Sequence, residues 1–218
     1  MAKLSWDDTS KRLYETGVKQ GVLYVQDSKG TYSKGVAWNG LSSISESPSG
    51  AEATDIYADD SKYLTLRSAE EFGCTIEAYT YPDEFMVCDG TAEAAPGVYV
   101  GQQTRKPFGL CYRTTLGNDT MLEDYGYKLH LVYNITASPS EKQYQTINDS
   151  PEAITFSWEC DTTPISAGSN YKKTAAIVVD STKVDATKLA KLEEALYGTD
   201  DTEAYLPLPE EVFTMLTA

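Results

Sequence analysis

Strict alternation of apolar and polar residues constrains this chain more than any other feature. Ile154, Phe156, Trp158 and Cys160 fall on one side of an extended run, and Thr155, Ser157, Glu159 and Asp161 fall on the other. A period of two is the mark of a half-buried strand, since successive side chains point to opposite faces. The same pattern runs from Glu71 to Tyr81, with Phe72, Cys74, Ile76 and Ala78 assigned to the core and Glu71, Thr75, Glu77 and Tyr79 to the polar face. Further strands are predicted at Gly21–Gln26, Ala37–Ser45, Lys62–Arg67, Phe108–Leu116, Tyr127–Thr136 and Thr174–Val179. A chain that is mostly alternating strand must pair its edges and bury one face of each strand, so the expected class is mainly β (α+β).

The punctuation between these runs is informative. Asp27-Ser28-Lys29-Gly30 reads as a hairpin turn leading into Thr31 and Tyr32, whereas Asn39-Gly40 fits a hairpin turn and a bulge equally well. Residues 1–20 show scattered anchors (Leu4, Trp6, Leu13, Tyr14) without a period and read as an arm on the body. From Glu46 to Asp60 the chain is polar and aperiodic, longer than ordinary connections, and such loops are either functional or disordered. Pro48, Ser49 and Gly50 give it a turn, while Ile56 and Tyr57 offer anchors for ordering against a neighbouring subunit.

Two kinds of helix are expected. Pro82 with Asp83 and Glu84 opens a short one near 83–88, closed by Gly90. Asp185 caps a longer one over Ala186–Tyr197 that stops at Gly198 and carries Leu189, Leu192 and Leu196 on one stripe. Asn148-Asp149-Ser150-Pro151 breaks the chain before the strongest strand, and Pro209-Glu210-Glu211 opens a closing helix in which Val212, Met215 and Leu216 pack. No linker divides the 218 residues, so a single domain is expected, with residues 185–218 as its helical end.

Charge and chemistry narrow the function. With 33 acidic residues against 18 basic ones, a net charge of -15 repels phosphate and argues against nucleic-acid binding. Sixteen tyrosines against five phenylalanines suit half-wet sheet faces and interfaces. No export signal and no membrane-spanning run is read, and Cys74, Cys88, Cys111 and Cys160, dispersed and without a CxxC pair, are expected as buried free thiols. A lone histidine, His130, lies mid-strand and is expected to be structural. No catalytic residue, cofactor or metal site is expected: phosphate-binding and zinc motifs do not occur, and Asp59-Asp60 and Asp200-Asp201 lack EF-hand spacing.

Longer segments carry a resemblance. VAWNGLSSISESPSGAEATDIYADDSKYL, SAEEFGCTIEAYTYPDEFMVCDG, GQQTRKPFGLCYRT, LGNDT, YGYKLHLVY, TINDSPEAITFSWE, DSTKVDATKLAKLEEALYG and LPLPEEV together resemble the major tail (tail tube) protein of long-tailed, siphophage-type bacteriophages, over nearly the whole chain. The resemblance implies a β-sandwich flanked by a helix, six copies to a ring, and rings stacked into a hollow tube whose inner β-barrel is built from strands of all subunits. It implies a virion protein assembled in the host cytoplasm, working with a tail-tip initiator, a tape-measure protein and a tail terminator, while DNA passes through without specific binding.

By position, the loop making contacts between subunits and rings would be Glu46, Ser47, Pro48, Ser49, Gly50, Ala51, Glu52, Ile56, Tyr57, Asp59 and Asp60. Its removal, from Ser47 to Asp55, is expected to leave a folded monomer. An acidic wall would keep a passing duplex from sticking, and Glu71, Glu77 and Glu159, opposite core faces, are the candidates for lining it. The alternative readings are the inner tube of a contractile tail or injection particle, and a glycan-binding β-sandwich.

Overall fold

The computed structural model describes residues 4, 6–147, 149 and 152–217. The chain opens with a long strand, β1 (Leu13–Val25), followed by β2 (Gly35–Trp38) and β3 (Leu41–Glu46). An excursion of short strands comes next: β4 (Ser49–Gly50), β5 (Ala53–Ala58), β6 (Ser61–Arg67) and β7 (Glu70–Glu71). The chain returns through β8 (Gly73–Ala78), makes a 3₁₀ turn at Asp83–Phe85, and forms a small hairpin from β9 (Ala92–Ala95) and β10 (Val98–Val100). Two long central strands follow, β11 (Phe108–Asn118) and β12 (Leu122–Ala137). After β13 (Phe156–Thr162) and β14 (Ala176–Asp180) the chain ends in helices α1 (Ala186–Tyr197) and α2 (Pro209–Thr217).

Eight strands form one antiparallel sheet in the order β2-β1-β11-β12-β13-β8-β3, with β14 also paired to β12. Its outermost strands, β2 and β3, are consecutive in sequence and joined only by Asn39-Gly40. Opposite edges of a sheet can be joined by two residues only if the sheet folds over on itself, and the core records that folding. Leu23, Trp38, Phe108, Leu110, Val132 and Ile135 from one half meet Cys74, Ile76, Ala78, Trp158 and Cys160 from the other in a single buried cluster. Phe85, from the 3₁₀ turn, wedges between Trp38 and Trp158 with ring centroids 4.6 and 5.0 Å away. The fold is therefore a mainly β, sandwich-like sheet.

A second core lies on the other face of β11, β12 and β14. Cys111, Leu129, Leu131, Tyr133 and Val179 pack there against Leu189, Leu192 and Leu196 of α1 and Val212 of α2. Asp185 caps α1 by accepting from the amides of Thr187 and Lys188, and Gly198 ends it at φ +76°, a left-handed backbone that glycine adopts without strain. Two buried tyrosines reach across this layer with their hydroxyls satisfied. Tyr24 donates to the Leu196 carbonyl at 2.5 Å and Tyr133 to that of Pro207 at 3.0 Å. All four cysteines are buried free thiols, and Cys74 faces Cys160 across β8 and β13. Among the described residues no helix is long and apolar enough to cross a membrane.

Several expectations are corrected. Residues 13–20 are the first half of β1 and pair with β11 from Leu13↔Asn118 onward; the N-terminal arm thus ends before Leu13, and residues 1–3 and 5 of it lie outside the described residues. The first hairpin has its turn at Asp27–Gly30, with Gly30 at φ +81°, but its second strand starts at Gly35, because Tyr32 turns inward and is buried. The run Ala37–Ser45 is two strands at opposite ends of the sheet, broken at Gly40 (φ +80°). The helix near 83–88 is a single 3₁₀ turn followed by further turns to Gly90. Ile154 precedes β13 and is 36% exposed, so the core face begins at Phe156. Of the break at 148–151, only Asp149 lies within the described residues.

Candidate assembly surface

The segment leaving β3 and returning to β8 is an ordered arm and not a loop. At its root β4 pairs with β7, Ser49 opposite Glu71 and Gly50 opposite Glu70. Beyond this clasp β5 and β6 form a two-stranded hairpin paired from Ala53↔Arg67 to Ala58↔Ser61, with a register shift between Ile56 and Tyr57. Asp59 and Asp60 are its two-residue turn, at φ +50° and +57°. Positive φ at both central positions is the turn whose twist matches a right-handed hairpin, and aspartate tolerates it better than most residues. Thr65 and Lys62 fasten the middle of the arm by donating to Asp55 at 2.6 and 2.7 Å, which holds that carboxyl below its usual pKa.

Nothing among the described residues covers the arm. Every residue of β6 is exposed, so Lys62–Arg67 is a strand, as its sequence predicts, but lies apart from the eight-stranded sheet. Ile56 sits opposite Leu64, and Leu66, two residues on, shares their face; the three are 39%, 37% and 55% exposed. Tyr57 and Tyr63 add 68% and 70% exposed rings near the tip. A continuous apolar face on an isolated hairpin is the kind of surface that is buried by association.

The structure distributes the expected loop residues along this arm. Glu46 ends β3 inside a polar cluster, Ser47 donates its amide to the Gly73 carbonyl at 2.8 Å, and Ser49 and Gly50 form the clasp. Pro48 and Glu52 are exposed, and Ala51 is half-buried at φ +54°. Ile56, Tyr57, Asp59 and Asp60 lie on the outer hairpin. Removing Ser47–Asp55 would take away β4 of the clasp and half of β5; the natural unit is Glu52–Ser68, whose ends meet where the Ser68 amide donates to the Glu52 carbonyl at 3.2 Å.

The three acids considered for a channel wall separate into two places. Glu77 and Glu159 lie on the polar face of β8 and β13, opposite Ser157 and Thr75 respectively, and Ser43 of β3 donates to Glu77 at 2.6 Å. Glu71 belongs to the clasp and not to β8.

A polar cluster at the end of the first core was not legible in the sequence. Tyr112 and His130, directly opposite in β11 and β12, stack at 4.6 Å with a 6° interplanar angle. The Tyr112 hydroxyl donates to Glu46 at 2.7 Å, and His130 Nδ1 lies 3.4 Å from the same carboxylate oxygen. On its other side His130 Nε2 lies 3.0 Å from the Thr114 hydroxyl and 3.5 Å from Glu15, which also pairs with Lys128. Burial lowers the His130 pKa from its ordinary value and outweighs the two carboxylates, which raise it. Burial alone would raise Glu15, but Lys128 and Thr114 hold it below its usual value. The signal available in the sequence was Glu15 itself, hidden because residues 1–20 show no period.

No protein-family model matches the chain, and no curated protein matches it. Among solved structures it is similar to the sheath/tube terminator of an extracellular contractile injection system (PVC) in the extended state, at TM-score 0.35 and 10% identity over 81% of this chain and 99% of that one. It is also similar to a chain of the PVC sheath-tube complex (0.34, 12%, 74% and 88%) and to the tube-terminating cap of the anti-feeding prophage (0.34, 9%, 83% and 95%). Likeness at this level carries no functional argument.

Proposed function

We propose that this chain is the structural subunit of a phage-type tail tube. It associates with further copies of itself into hexameric rings, and the rings stack into a hollow conduit for DNA. The observation that carries this reading is the arm: an ordered hairpin projecting from the sheet, with Ile56, Leu64 and Leu66 exposed on one face and no covering partner among the described residues. The resemblance of the sequence to siphophage major tail proteins supplies the kind of assembly, and the net charge of -15 suits a wall that must not hold a duplex. Glu77 and Glu159 are proposed for that wall; Glu71, in the clasp, belongs with the assembly arm. In this reading the protein is a virion component that works with a tail-tip initiator, a tape-measure protein and a terminator, and carries no catalytic or cofactor site.

Replacing Glu52–Ser68 by Asn-Gly joins the clasp strands with a tight turn and leaves both cores intact. The variant is expected to fold with an unchanged thermal midpoint and to remain monomeric in sedimentation velocity where the intact chain associates. Association equal to that of the intact chain would remove the arm from the assembly and this reading with it.

A further inference from the structure

The arm is acidic at its tip and basic at its root. Asp59 and Asp60 are exposed in the turn, and neither carboxylate has a side-chain partner among the described residues. At the root, a groove of about 1000 Å³ runs between the end of β6 and the segment that leads into β14. Arg67, Lys172 and Lys173 line it over Phe72 and Pro164, and the one acid in its wall is Glu70. None of the three cations is held in an ion pair among the described residues. Three unpaired cations around one cleft are out of keeping with a chain of net charge -15, and an acidic ligand is what such a cleft accommodates.

A copy cannot satisfy its own groove. The hairpin is extended, and its strands of six and seven residues hold the tip about 20 Å from the root at ~3.3 Å per residue. The geometry points to a tip-to-groove contact between copies, in which the Asp59-Asp60 turn of one subunit seats among Arg67, Lys172 and Lys173 of the next. Each subunit then gives one tip and receives one, a head-to-tail contact that propagates into a closed ring or an open stack according to its rotation. The contact also places a locally basic groove against acids in subunits that otherwise repel one another. This inference rests on the tube reading and assigns the receptor for its arm.

Two variants that each spoil one half of the contact test it. Asp59→Asn with Asp60→Gly removes the tip charge and installs a sequence that favours the same turn; Lys172→Glu with Lys173→Glu reverses the groove on an exposed segment. Circular dichroism melts check that both variants fold. Each variant alone is expected to need at least about a tenfold higher concentration to associate than the unaltered chain, the scale of losing one charged contact. Mixed in equal amounts, the groove variant offers a good tip and the tip variant a good groove, so the mixture should give one-to-one dimers in sedimentation velocity and stop there. If both variants associate like the unaltered chain, or the mixture stays monomeric, the tip-to-groove contact is overturned while the tube reading stands. An unaltered chain that never associates overturns both.

Discussion

The rings of Tyr112 and His130 lie 4.6 Å apart and within 6° of parallel, and both point at Glu46, the residue from which the arm departs. The stack joins the inner core to the root of the assembly surface. Burial there depresses the histidine's pKa despite the two neighbouring carboxylates, which raise it.

That depression gives stability a direction with pH. The unfolded chain takes up a proton near the ordinary histidine value of about 6.5, and the folded chain does so only at lower pH. The contribution is therefore complete above about 6.5 and is lost as pH falls toward the folded value. The urea midpoint of the unaltered chain should drop between about pH 7.5 and about pH 5.5, and His130→Gln should flatten that drop. Equal slopes for both proteins would show that His130 is not the titrating group.

Trp158 is fully buried against Trp38, Phe85 and Tyr81 where the two halves of the sheet meet. Truncation to alanine leaves a cavity that the folded-over sheet cannot close, and is expected to cost about 3–5 kcal/mol. Chemical denaturation followed by far-UV circular dichroism would measure it; a loss below about 1 kcal/mol would mean that the halves are not held together there.

The apolar face of the arm should matter for association and not for folding. Ile56→Ser with Leu64→Ser changes residues already 39% and 37% exposed, so the thermal midpoint should stay within the small range typical of surface substitutions. Association in sedimentation velocity should be lost. Retained association, or a large fall in the midpoint, would each contradict a free-standing docking face.

Subunits of charge -15 repel one another before any contact forms. Added salt shortens the Debye length from about 10 Å at 0.1 M to about 3 Å at 1 M; it weakens the tip-to-groove contact but relieves the repulsion of the whole net charge, the larger effect, so association should strengthen with ionic strength. Light scattering across a salt series checks this, and strongest association at the lowest salt would contradict it.

Glu77 and Glu159 share one sheet face. If that face lines the channel, assemblies carrying Glu77→Lys and Glu159→Lys should retain duplex DNA at low salt in co-sedimentation, where unaltered assemblies release it. DNA binding unchanged by both substitutions would move the wall to another surface.

Much of this fold was legible where burial and period agree. The alternation at 73–78 and 156–160 marked core faces correctly, and α1 begins at its Asp185 cap and ends at Gly198 as read. Legibility failed where strands are solvated on both faces. The first half of β1 and the whole of the arm have no buried residue to set a period, so 13–20 read as an arm and 46–60 as a loop. The site suffered for the same reason. Ile56 and Tyr57 were recognisable as apolar anchors, but Leu64, opposite Ile56, was read within a separate strand at Lys62–Arg67, and the groove at the root joins residues more than a hundred positions apart.

Negative-stain electron microscopy of the purified chain, concentrated at moderate and high salt with and without a tail-tip extract, tests the central claim most directly. The account predicts hollow rings or tubes with a central channel wide enough for a DNA duplex. Isolated monomers under every condition, tip extract included, would contradict it.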